Sequence, residues 1–283
     1  MGSGSHPGAA AAATSSAQPV DAGPWDAGST PTQQTGAARR SDRHAVVAEN
    51  PTAADIAMAV LESGGNAADA AVSGVLAAGV AQPVSSGLGG GGFALIWSAD
   101  TRSMTVLDFR ETAPAGLRSE DLARRPPPSR RRGVLVGVPG ELAGLWEIHS
   151  RWGSRPFAEL VRPAADLAAR GFVVSHHMSR ALRWNREWIT GSPELAAMFA
   201  PLGELLATPA LARNPALGRT LNRIATEGRA AFYQGAIAQD VVATANQAGS
   251  SMTERDLSSY RVEQRQPLLV RFGDHDVYTC LLY

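Results

Sequence analysis

The sequence predicts an α+β chain, and three observations carry that prediction. An Ala- and Val-rich stretch over residues 67–80 follows an Asn66 cap and has no polar face, which describes a helix buried on all sides. Two apolar segments, 93–98 and 104–109, flank the polar turn 99–102 as the arms of a β-hairpin do. Between helix and hairpin lie five glycines within six positions, Gly87, Gly89, Gly90, Gly91 and Gly92. Glycine is needed where φ is positive or where another group must approach the backbone closely, so this run reads as a tight corner between a buried helix and a buried strand.

Composition narrows the class. The 283 residues are enough for one or two domains, and 44% hydrophobic against 18% charged residues describes a mostly globular chain. Lys and Arg together equal Asp and Glu at 26 each, so no global charge draws the chain to nucleic acid or to an anionic membrane. The single cysteine, Cys280, excludes an intrachain disulfide and a cysteine-cluster metal site. No apolar run approaches the ~20 residues of a membrane span. The first residues carry no basic region before an apolar core, so no export signal is expected.

Taken in order, residues 1–43 are a Gly/Ala/Ser/Pro-rich tail, expected to be disordered because it has too little apolar surface to offset its ordering entropy. Order is expected from 44 to 283, beginning with a short strand at 44–48. Thr52 and Asp55 read as a capping box, and Ile56, Val60 and Leu61 follow at helical spacing. Gly64-Gly65 ends that helix. After the hairpin, Arg124 to Arg132 is a stiff, basic, Pro-rich surface loop. It lacks the interleaved aromatics of a nucleic-acid site. Residues 133–136 read as a strand, 141–151 and 156–170 as helices, and 175–190 as a third helix with Leu182, Trp184 and Trp188 as its buried stripe. His176 and His177 lack a partner at metal-binding spacing, so no metal is expected. Helices over 214–228 and 236–248, a short capped helix at Thr253, and strands at 267–270 and 277–279 complete the pattern. The chain then stops directly after a strand pattern, so the fold is expected to be incomplete at its C-terminus.

Gly87-x-Gly89-x-x-Gly92 satisfies the letter of a dinucleotide fingerprint. That fingerprint needs a strand before the glycines and a helix N-terminus after them. Here the order is reversed and no Gly-Lys-Ser/Thr follows, so no nucleotide cofactor is expected.

Several blocks in order carry a family resemblance. Residues 48–51 and 64–71 precede Pro83-Val84-Ser85-Ser86-Gly87-Leu88-Gly89-Gly90-Gly91-Gly92-Phe93. Asp108-Phe109-Arg110-Glu111-Thr112-Ala113-Pro114, Gly137-Val138-Pro139-Gly140, Phe232-Tyr233-Gln234-Gly235 and Leu257-Ser258-Ser259-Tyr260 follow. From about 44 to 279 the chain resembles the large-subunit portion of gamma-glutamyltranspeptidases. The resemblance implies an N-terminal-nucleophile hydrolase with an αββα sandwich, made as a precursor that cuts itself into two subunits. The exposed Thr of the small subunit is then the nucleophile and its α-amine the general base. It also implies a γ-glutamyl donor such as glutathione, the small subunit as partner, no cofactor, and a periplasmic or secreted setting.

On the residues alone, Arg110 is either the partner of Glu111 or Asp108 near the surface, or a carboxylate ligand using its bidentate fork. The resemblance implies the second, with Arg110 holding the donor's α-carboxylate. Glu111 and the glycines 89–92 are its candidate supports. The Thr nucleophile is expected to lie outside these residues, because Thr112 is not placed to become an N-terminus. The chain alone is therefore expected to have no catalytic residue and no activity. The alternatives are a non-catalytic γ-glutamyl-binding or interaction module, or a related hydrolase of polyglutamate or acyl amides.

Overall fold

In a computed structural model, residues 37–122 and 129–280 are described. Strand β1 (Ala37–Arg40) pairs antiparallel with β2 (Ala45–Ala48), and Arg39 forms an ion pair with Asp55 of the next helix. Four residues placed in the tail therefore form a strand; residues 1–36 lie outside the described part. Helix α1 (Pro51–Glu62) is capped by Asn50, whose side chain accepts from the amides of Thr52 and Ala53. The cap expected at Thr52 thus lies two residues earlier. Pro51 at the first helical position explains the shift, since its fixed φ starts a helix and it has no N–H to cap.

Helix α2 (Ala67–Ala81) begins with the full capping box of Asn66 and Asp69 and is buried along most of its length. Asp69 is fully buried and joins two parts of the chain. Its Oδ1 accepts from the amides of Ser154 (2.9 Å) and Arg155 (3.3 Å), and its Oδ2 from the Ser154 hydroxyl (2.6 Å) and the Asn66 amide (2.9 Å).

Beyond the glycine corner, β3 (Phe93–Ser98) and β4 (Ser103–Asp108) form the expected hairpin, with Phe93 opposite Asp108. The strand expected to be buried is half-exposed: Leu95 and Trp97 face outward. Helix α3 (Ser119–Leu122) is short. Residues 124–128 of the basic loop lie outside the described part. The strand expected at 133–136 is instead the end of a 3-10 turn, 129–135. The Gly133 amide bonds Ala248 and the Val136 amide bonds back to Gly133, so no partner strand is engaged there.

Helices α4 (Glu141–Trp152) and α5 (Phe157–Arg170) follow, and then the short strand β5 (Phe172–Val173). The single helix expected over 175–190 is two, α6 (His176–Trp184) and α7 (Arg186–Gly191). Asn185 ends the first by bonding through backbone and side chain to the Ala181 carbonyl. The break ruins the predicted stripe: Leu182 is buried, whereas Trp184 is 88% and Trp188 54% exposed. Next come α8 (Pro193–Phe199), β6 (Leu211–Ala212, paired with β5), α9 (Pro215–Glu227), α10 (Ala230–Tyr233), α11 (Gly235–Gln247) and α12 (Glu254–Ser259). Strand β7 (Glu263–Arg265) joins the hairpin in the order β3-β4-β7. Strands β8 (Leu268–Phe272) and β9 (His275–Thr279) form a separate hairpin, exposed on both faces.

One core unites most of these helices, while Ala57, Met58 and Leu61 of α1 form a smaller cluster with Ala70 of α2. Val72, Leu76 and Val80 of α2 meet Leu142 and Leu145 of α4, Leu160 and Val161 of α5, and Leu221 and Ile224 of α9. Each such side chain contributes about 1.5–3 kcal/mol on burial. Among the described residues the strands stay in small sheets, and the β3–β4 hairpin reaches this core through Leu107, with Ala94 and Ile96 packed against it. No helix of the described residues is long and apolar enough to cross a membrane.

The Asp69 junction makes a testable prediction. Burial pushes its carboxyl up, but the bonds from Ser154, Asn66 and Arg155 outweigh this and hold it below the ordinary carboxylate range. A depressed acid contributes stability above its unfolded pKa and loses it as pH falls through the folded value. Asp69→Ala is expected to lower unfolding free energy by about 3 kcal/mol at neutral pH, because it strands buried donors. In urea titrations the gap between variant and wild type should close as the pH falls below that of an ordinary aspartate. A gap that does not depend on pH would contradict the assignment.

Candidate functional site

The site is built where the glycine corner crosses the end of β4. Helix α2 stops at Ala81, and the amides of Ser85 and Ser86 turn back onto the Gln82 carbonyl. Gly87 then adopts φ +147°, a conformation that side chains disfavour. Its Cα packs so closely on α2 that a Cβ at Gly79 would stand 2.8 Å from it. The Gly90 amide closes a turn on Gly87 at 2.8 Å. The Gly90 carbonyl accepts both the Gly140 amide (2.8 Å) and the Glu141 amide (2.9 Å) at the start of α4. Gly91 lies against the 109–111 backbone, where a Cβ would come within 2.3 Å of the Phe109 oxygen. Gly92 exchanges amide–carbonyl bonds with Phe109, extending the β3–β4 ladder by one pair.

This corner delivers Arg110 to the surface. Phe109 is buried in the core; the next residue turns outward. The Arg110 amide bonds Asp108 Oδ1 at 3.0 Å and its carbonyl accepts the Tyr260 hydroxyl at 2.8 Å. Thr112 is bridged to Val138. The main chain is thus fixed on every side, while the guanidinium is half-exposed. Its Nε is 3.2 Å from Glu111 Oε2, and its centre is 6.0 Å from the Phe93 ring. Arg110, Glu111, Thr112 and Gly89 line an open cavity of about 600 Å³, whose far side is formed by Leu135 and Gly137.

Arg110 and Glu111 are therefore brought together, with Gly89 beside them. Gly90, Gly91 and Gly92 act through packing and backbone bonds. The corner holds no free helix N-terminus for a phosphate, because the nearest one, that of α4, is occupied by the Gly90 carbonyl. Among the described residues no group of three His, Cys, Asp or Glu is placed to hold a metal ion.

Two residues were not singled out from sequence. Tyr260 ends the Leu257-Ser258-Ser259-Tyr260 block, 150 residues from Arg110. Burial keeps its phenol protonated, with its pKa above the ordinary tyrosine value, so it remains a donor to the Arg110 carbonyl. The second is Glu141, which is buried beneath the corner. Its Oε2 accepts from the Gly87 amide (3.1 Å) and the Ser86 hydroxyl (3.3 Å), whereas Oε1 has no partner among the described residues. Burial raises its pKa to about 7; the Gly87 and Ser86 donors oppose the rise and the Glu111 charge adds to it. The signal available in sequence was an acid directly after the turn Pro139-Gly140, at the start of a helix.

The chain is similar to known proteins. The family model described as Gamma-glutamyltranspeptidase matches residues 53–282. The chain is 39% identical over 225 residues to glutathione hydrolase 2 of Arabidopsis thaliana, covering 79% of this chain and 39% of that protein. It is 35% identical over 239 residues to the glutathione hydrolase proenzyme of Bacillus subtilis, covering 82% and 40%. The crystal structure of Helicobacter pylori gamma-glutamyltranspeptidase superposes with a TM-score of 0.79 at 30% identity, covering 85% of this chain and 70% of that one. The chain spans about 40% of the length of these curated relatives.

Glu141 gives the site a pH signature. An acid with a raised folded pKa contributes most stability below its unfolded value and loses that contribution as pH rises through the folded one. Going from 4.5 to about 7 should therefore cost the wild type about 3 kcal/mol relative to Glu141→Gln, at 1.36 kcal/mol per unit. Urea midpoints of the two proteins between pH 4 and pH 8 test this. Parallel curves would show that the carboxyl ionises as an ordinary glutamate.

Proposed function

This chain belongs to the gamma-glutamyltranspeptidase family, and from that premise we propose that it binds a γ-glutamyl donor through Arg110. In this reading the chain forms the large-subunit part of a γ-glutamyltransferase or glutathione hydrolase of the N-terminal-nucleophile type. The observation that carries it is the contrast at Arg110: a main chain clamped on all sides, and a guanidinium facing an open cavity with one partly exposed ion pair. An exposed pair of this kind is worth only about 0–1 kcal/mol, so an incoming carboxylate displaces it at little cost. The fork of arginine then takes both carboxylate oxygens. Glutathione, or another γ-glutamyl amide, presents such an α-carboxylate.

The chemistry proposed is acyl transfer. A threonine hydroxyl attacks the γ-carbonyl carbon while its own α-amine takes the proton. The C–N bond breaks, that proton leaves with the amine, and a γ-glutamyl ester remains. Water or an amino-acid amine then attacks the ester and releases the threonine. The relatives are more than twice as long as the part matched here, and the nucleophile is proposed to lie in the part these residues do not span. Thr112 does not compete for the role, since it sits mid-chain and is bridged to Val138.

The exposed strands fit a surface for that remaining part. Leu269, Val270 and Phe272 of β8 are more than half exposed, as is Trp97 of β3. Apolar strands exposed in this way are normally covered. We propose that the small subunit packs there and completes the αββα sandwich.

Two measurements test the reading. In the complete gene product, Arg110→Lys is expected to lower kcat/KM for γ-glutamyl-p-nitroanilide about 100-fold, chiefly through KM, because lysine cannot make the bidentate contact. An unchanged KM would overturn the role of Arg110. The 283-residue chain by itself should release no p-nitroaniline, and turnover by it alone would overturn the placing of the nucleophile.

A further inference from the structure

We propose that Tyr260 is the positioning residue for Arg110, fixing the direction of the guanidinium through the main chain. The inference rests on the reading of Arg110 as the carboxylate ligand. It starts from how little holds the arginine side chain itself. Among the described residues its Nε meets the neighbouring Glu111, the Phe93 ring lies 6.0 Å from its centre, and both members of the ion pair are partly exposed. Such a contact does not select one rotamer strongly. The direction in which Cβ leaves the backbone then sets the region that the guanidinium can reach.

That direction is set by the segment 254–265. Tyr260 follows α12 at its C-terminal cap and is buried. Its hydroxyl reaches the Arg110 carbonyl at 2.8 Å. Its ring stacks on Tyr233, with centroids 6.0 Å apart and planes 14° apart. Its own carbonyl accepts Arg229 Nη2 at 2.6 Å, so neither end of the residue is free to swing. Five residues later, Arg265 bonds Asp108 Oδ2 at 2.6 Å, and Asp108 Oδ1 holds the Arg110 amide. One short segment therefore grips both polar groups of the Arg110 backbone, the carbonyl directly and the amide through Asp108.

Removing the Tyr260 hydroxyl would leave the Arg110 carbonyl facing an apolar ring edge. A part-buried acceptor left without a donor is costly. Rotation of the 110–111 peptide toward solvent relieves that cost, and it carries both Arg110 and Glu111 with it. Tyr233 offers the contrast. Its hydroxyl donates to the Pro139 carbonyl (2.9 Å) and accepts the Ala143 amide (3.2 Å), so it secures the start of α4 without touching Arg110.

The test uses the complete gene product and γ-glutamyl-p-nitroanilide, with the Nε–Hε resonance of Arg110 in arginine-labelled protein as a second readout. That resonance is identified by its loss in Arg110→Lys. Tyr260→Phe is expected to raise KM about tenfold with kcat within about threefold, and to move or broaden the resonance. Tyr233→Phe is expected to lower the Tm while leaving KM within about twofold and the resonance in place. A Tyr260→Phe protein with wild-type KM and an unmoved resonance would overturn the proposal. If the wild-type gene product turns over no γ-glutamyl substrate, the functional reading fails. The resonance alone then decides: a shift in Tyr260→Phe supports positioning, and no shift overturns it.

Discussion

One carbonyl oxygen organises this region. The first amides of any helix have no partner within the helix and carry its positive end. Here Gly90 supplies an oxygen to two of them, Gly140 and Glu141. Helix α4 enters the core immediately afterwards through Leu142 and Leu145. The corner is thereby fastened to the most buried part of the molecule, and β4 must end beside it. Fixing the glycines in this way also spends the first amides of α4 on main chain, so the positive end of that helix faces the Gly90 carbonyl.

Two acids meet the backbone of the corner. Glu141 sits beneath, buried and poorly solvated. Glu111 lies above, at the open cavity beside Arg110. A Cβ at Gly90 would stand 3.6 Å from Glu111 Oε1, while the carbonyl of the same residue binds the Glu141 amide. Arg110 offsets the outer charge. The inner one is relieved most cheaply by keeping its proton. The same few atoms of backbone therefore separate a group whose charge belongs to the surface from one whose charge the fold resists.

Much of this was legible locally. The Asn66 capping box, the glycine stops and the hairpin depend on neighbours within a few residues, and they appear where the sequence places them. Misreadings arose where a distant contact overrode a local pattern. Val134, Leu135 and Val136 are apolar and β-prone, but Gly133 is bonded to the end of α11, which winds the stretch into a turn. Trp184 and Trp188 keep helical spacing only if the helix continues, and Asn185 terminates it. Strand β1 gave no apolar signal, since it is held by pairing with β2 and by the Arg39–Asp55 ion pair. At the site, the DFRETAP block marked Arg110 through its resemblance to a known family. Its brace, Tyr260, could not be paired with it from spacing alone.

The packing of Tyr260 against Gly140 has an evolutionary consequence. A Cβ at position 140 would lie 2.2 Å from the Tyr260 hydroxyl and 2.0 Å from the Phe109 oxygen. The backbone contact alone confines position 140 to glycine, and the ring adds a second barrier from a residue 120 positions away. Losing the tyrosine would therefore not by itself open the position to a larger side chain.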